Sequence, residues 1–150
     1  MQRRTAFKTL IAAVFTGAAA QTAGVAAQTE GVAEARARRV VYHLVDADKV
    51  GFAFANMKNH HAGGPEGLAL AAVVLGPALA QFHAAEAGEP IKKALAERLA
   101  AGDILYACVN TLAAHGWTLA DLLPGFALAD KGGVVKLADL QAQGFVYLRP

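Results

Sequence analysis

The sequence predicts one α/β domain, built on a parallel or mostly parallel sheet with helices on both sides. Three observations carry this expectation. From residue 39 onward, short runs rich in β-branched, aromatic or apolar residues alternate with segments that are apolar at helical spacing. One of the runs, residues 68–75, is apolar at every position, the pattern of a strand covered on both faces. Gly-Pro punctuation at Gly63-Gly64-Pro65, Gly76-Pro77 and Pro124-Gly125 separates the segments. A length of 150 residues suits a single domain, and 55% hydrophobic against 17% charged residues excludes a disordered polymer.

The elements follow in order. Residues 39–45 read as a first strand. Asp46 and Asp48 then offer N-cap oxygens to a helix, with Val50, Ala53, Phe54 and Met57 on its apolar face, running to about His60. The apolar run 68–75 is a second strand, stopped by Gly76-Pro77, and residues 78–85 form a short helix. Pro90 sits at a good first helical position, ahead of the stripe Ile91, Ala94, Leu95 and Leu99. Residues 103–109 make a third strand, after which Asn110-Thr111 caps a short helix that breaks at Gly116. Thr118 and Asp121 have capping-box spacing. Residues 126–128 form a fourth strand, 133–143 a last helix with Val134, Leu137 and Leu140 inward, and 145–148 a fifth strand.

The N-terminus reads as an export signal. Arg3, Arg4 and Lys8 make a basic start, residues 10–20 an apolar stretch, and Val25-Ala26-Ala27 a small-residue cleavage site before Gln28. The Arg3-Arg4 pair ahead of Phe7-Lys8 is like a twin-arginine signal, although the general route stays open. The expected organisation is therefore a signal peptide over 1–27, a flexible linker over 28–38 and the folded domain over 39–150, in the periplasm. No apolar run after residue 30 approaches the roughly 18 residues of a membrane span, so no stable membrane insertion is expected once the signal is gone. Residues 1–27 hold three of the 14 Lys+Arg and none of the 12 Asp+Glu, so the remainder carries a net charge of −1. The overall basicity belongs to the signal, which removes the main support for a nucleic-acid partner.

The residue inventory narrows the chemistry. Serine is absent, which excludes a serine nucleophile. A single cysteine, Cys108, excludes an internal disulfide and a cysteine-rich zinc site. The five histidines are scattered, and adjacent His60 and His61 point in different directions on a helix, so neither a metal site nor another cofactor is expected. Gly63-Gly64 and Gly132-Gly133 lack the Lys and Ser/Thr of a phosphate loop. Trp117 and Phe126 are read as core or subunit interface. Cys108 itself lies at the carboxyl end of a predicted strand and just before a helix, where open α/β sheets bind ligands and a helix start lowers a thiol pKa. A buried, inert cysteine fits the same position.

Residues 39–150 resemble the DsrE/DsrF-like family. The resemblance rests on Val40-Val41-Tyr42-His43-Leu44 with Asp46, Asn59-His60, Gly76-Pro77, Ala107-Cys108-Val109-Asn110-Thr111-Leu112, Leu122-Leu123-Pro124-Gly125, and Leu137 to Gln141 with Gly144 to Tyr147. It implies a three-layer α/β/α sandwich around a mostly parallel five-stranded sheet, assembled into small homo-oligomers. It also implies a sulfurtransferase-like carrier, whose cysteine accepts sulfur as a persulfide and passes it on. The implied partners are sulfur donor and acceptor proteins or small sulfane compounds, in sulfur oxidation or in sulfur relay for tRNA modification. Cys108 aligns with that cysteine. Asn110 and Asp46, each following a strand, are further candidates if their strands are neighbours, although capping is the commoner job for both. Two other readings stay open: a non-catalytic oligomeric binding module with a structural cysteine, and an exported cysteine hydrolase or peroxide-reducing enzyme, the latter weakened by the lack of a resolving cysteine.

Overall fold

The computed structural model of the chain describes residues 38–150. The expected signal peptide and all but the last residue of the expected linker lie outside the described residues. Five strands form one sheet: β1 (Arg39–Leu44), β2 (Ala69–Val74), β3 (Ile104–Cys108), β4 (Phe126–Ala129) and β5 (Val146–Leu148), in the order β4-β3-β2-β1-β5. Every pairing is parallel. The connections are α1 (Val50–Gly63), α2 (Pro77–Ala80), α3 (Glu89–Ala100), α4 (Val109–His115) and α5 (Gly133–Ala142), with 3-10 turns at Ala47–Lys49 and Leu119–Asp121. No described helix is long and apolar enough to cross a membrane.

Alternation along the strands sorts the side chains into two layers. On one face Tyr42, Val74 and Leu105 pack against Phe54 and Met57 of α1, Leu79 of α2 and Phe82 after it. On the other face Val41, Ala71 and Val73 pack against Leu137 and Leu140 of α5 alone. The expected helices on both sides are present, four on one face and one on the other. In β2, Leu70 to Val74 are all buried, as an apolar run in a central parallel strand requires. Asp103, fully buried just before β3, accepts from Arg98 of α3 at 3.3 Å and pairs with His61 of α1 at 2.6 Å. The charges of a buried Asp and Arg are thus matched and tie α1 and α3 to the start of β3.

Three local expectations change. Asp46 precedes the first 3-10 turn but makes no capping bond, because its carboxylate accepts from Arg149 at 3.3 Å. Cys108, not Asn110 or Thr111, occupies the N-cap of α4, since the strand runs directly into the helix with no intervening loop. Val134 is 70% exposed although Leu137 and Leu140 are buried, because the face of α5 turned to the sheet runs through Gly133, Leu137 and Leu140 and Val134 lies one position round the helix from it. Gly116, by contrast, ends α4 in the left-handed conformation as its sequence position implies, and Thr118 with Asp121 closes a capping box.

Candidate functional site at the carboxyl ends of the strands

Cys108 ends β3 and begins α4, so its sulfur stands at the carboxyl edge of the sheet. It is 4% exposed, yet it forms part of the wall of a cleft of about 780 Å³. Three parts of the chain meet there. The turn after β2 brings Leu75, Gly76 and Pro77, the start of α4 brings Asn110 and Thr111, and the loop into α5 brings Lys131, Gly132 and Gly133.

The start of α5 approaches the sulfur closely, and the Gly133 amide donates to Cys108 Sγ at 3.1 Å. Glycine is what allows this approach. A Cβ on Gly133 would lie 3.2 Å from both Cys108 Cβ and Leu75 Cδ2. Gly132 has φ +100°, a conformation side-chain-bearing residues rarely adopt, and a Cβ there would lie 2.7 Å from Asn110 Nδ2. On the other flank, Gly76 N–H donates to Thr111 Oγ1 at 3.0 Å, fixing the Thr111 side chain beside the sulfur.

These contacts set the electrostatics of the thiol. Burial pushes its pKa up, since a thiolate is poorly solvated there. The Thr111 amide, the Gly133 amide, the Thr111 hydroxyl and the Asn110 amide act in the opposite direction and outweigh burial, so the thiol sits below its ordinary value. The amides of Asn110 and Thr111 favour the thiolate without closing a regular capping hydrogen bond. A thiol of this kind can act as a nucleophile or hold a terminal sulfur atom.

The other candidate residues divide. Asn110 lines the cleft, with its side chain against Gly132. Asp46 does not line it: β2 lies between β1 and β3, and the Asp46 carboxylate is paired with Arg149. Gly133 and Thr111 are the residues that sequence reasoning passed over. The sequence marks the glycine pair as a helix start without phosphate-loop residues, and Thr111 as a cap within the motif around Cys108, while the partners lie 25 and 35 positions away.

The histidines take separate roles. His60 hydrogen-bonds the Tyr42 hydroxyl at 3.0 Å, and His43 the Tyr147 hydroxyl at 2.7 Å. Burial, reinforced by Arg149 and opposed by Asp46, holds His43 below its ordinary pKa. His115 lines the cleft and stacks on Trp117 at 4.2 Å between ring centroids, and His83 stacks on the same ring at 4.4 Å. Phe126 and Trp117 both join the core on the four-helix face. Among the described residues, no three His, Cys, Asp or Glu side chains are grouped to hold a metal ion.

No protein-family profile matches the chain, and no curated protein does. Among solved structures, it is similar to that of MTH1491, a protein of unknown function from Methanobacterium thermoautotrophicum. The two are 28% identical, with a TM-score of 0.67, over 75% of this chain and 98% of that one. The fold is a three-layer α/β/α sandwich. Within the sandwich, the Cys108 cleft lies at the edge of the sheet where parallel α/β folds place their ligands.

Proposed function

We propose that the chain is a persulfide carrier of the sulfurtransferase type, with Cys108 cycling between thiol and persulfide. One observation supports this above the others: the one thiol of the chain lines a cleft and is surrounded by N–H and O–H donors that favour its anion. The same donors that lower the thiol pKa can hold a persulfide anion. The sequence resemblance to the DsrE/DsrF-like family points the same way. It also implies a small homo-oligomer, which sedimentation velocity on the purified chain will measure. Together with the export segment read in residues 1–27, the reading puts the carrier in the periplasm, between sulfane donors and an acceptor thiol.

Treating the chain with inorganic polysulfide is expected to add about 32 Da, one sulfur atom, and Cys108→Ala is expected to abolish the adduct. The intact mass also reads whether residues 1–27 have been removed from protein recovered from the periplasm. An unmodified mass with every sulfane donor, inorganic or organic, or an adduct that survives Cys108→Ala, rejects the carrier.

A second reading, a binding module of the same fold with a structural cysteine, is favoured by the 4% exposure of Cys108. Alkylation of native protein separates the two. A rate limited by unfolding supports the module, and a rate that tracks reagent concentration supports the carrier.

A further inference from the structure

We propose that the Cys108 cleft takes a small organic persulfide, R–S–SH with a hydrocarbon R group, in preference to an inorganic sulfane dianion such as thiosulfate. This deepens the carrier reading and rests on it. The cleft, about 780 Å³, is far larger than a sulfur atom requires and lies within the range of small-molecule pockets. Its walls are mostly hydrocarbon, from Leu75, Pro77, Ala80, Ala114, Val134 and Val135. Val134 and Val135, 70% and 41% exposed at the start of α5, are apolar side chains that the sheet leaves uncovered and an R group would cover.

The polar complement is too small for a dianion. Lys131 is the one Lys or Arg among the lining residues. The Gly133 amide is already engaged by the sulfur and the Gly76 amide by Thr111. A doubly charged donor would give up its water for mostly apolar walls, one exposed lysine and the few other polar side chains of Gln81, Asn110, Thr111 and His115, which is unfavourable for two charges. A hydrocarbon group gains by the same transfer.

The step balances without an added oxidant. The Cys108 thiolate attacks the outer sulfur of R–S–SH, a new Sγ–S bond forms, and the S–S bond of the donor breaks. The leaving R–S⁻ takes the electron pair, and the proton stays on the transferred sulfur. Cys108 is oxidised to the persulfide level as the inner sulfur of the donor is reduced to a thiolate.

The test uses the full chain and a series of straight-chain alkyl persulfides, methyl to butyl, released in solution. Intact-mass spectrometry follows the adduct of about 32 Da, one sulfur atom, and each rate is divided by that of a free thiol with the same donor. The corrected rate is expected to rise about threefold per added methylene. In a Val134→Ser, Val135→Ser variant the butyl-to-methyl ratio is expected to fall at least about threefold, since the wall that binds the chain is lost. A rate independent of chain length, or thiosulfate loading as fast as butyl persulfide, overturns the donor class and leaves the carrier standing. Loading by no donor at all overturns both.

Discussion

At Cys108 two opposed effects act on one atom: burial disfavours the thiolate, and the donors of Thr111, Gly133 and Asn110 favour it more strongly. The side-chain part of that balance is open to test. Thr111→Val removes the hydroxyl and leaves Gly76 N–H without its acceptor, so the pH profile of Cys108 alkylation should move to higher pH. At neutral pH the alkylation rate should fall about threefold to tenfold, the net scale of one hydrogen bond. Thr111→Ser, which keeps the oxygen, should restore most of the rate. Stopped-flow alkylation from pH 5 to 10 measures both. An unchanged Thr111→Val profile would show that the backbone amides alone set the thiol. The position of Cys108 was legible because a strand-to-helix junction is written locally. The Gly133 amide on its sulfur was not, since that contact depends on how β4 and α5 return to the sheet.

Among the elements, α5 matters most to the site, because its glycine start sets its distance from Cys108. Gly132→Ala would meet the Asn110 side chain while holding a backbone that alanine resists. It should cost about 1–3 kcal/mol, lowering the melting temperature by about 3–5 °C per kcal/mol for a domain of this size. It should also raise the thiol pKa by moving the Gly133 amide away. Differential scanning calorimetry and the alkylation profile read the two effects separately. The elements themselves were readable from periodicity: the start of β1 at Arg39 and the Gly116 stop of α4 stand where the sequence pattern puts them, and Pro90 enters α3 at its second position, one later than expected. The side-chain jobs at their ends were less so. Asp46 gives up a cap for Arg149, a partner 103 positions away that no local pattern announces.

For the whole molecule, the alternation of strands and helices predicts a parallel sheet but not the order of its strands. The chain steps β1-β2-β3-β4 in one direction and then returns β5 to the far side of β1. That return carries α5 alone across the second face, which is why the sandwich is lopsided. Titration should affect its stability in a definite sense. Cys108 and His43 both have folded-state pKa values below their ordinary ones, so each binds fewer protons folded than unfolded in the window between the two values. Stability therefore rises with pH across each window. The His43 contribution is fully present above the ordinary imidazole value and lost as pH falls through the lowered one. The Cys108 contribution likewise appears fully only above the ordinary thiol value and is lost on acidification through the lowered one. Urea titrations of wild type and His43→Gln between pH 4 and 8 should converge at the acidic end and separate toward neutrality. Parallel curves would assign the acid sensitivity to other groups.

The His83 and His115 rings stacked on Trp117 have a practical consequence. Trp117 is the chain's one indole, so all of its tryptophan emission comes from a ring in contact with the cleft wall through His115. The protein thus carries its own optical probe, whose brightness should follow anything that displaces His115 from the ring, with no dye attached.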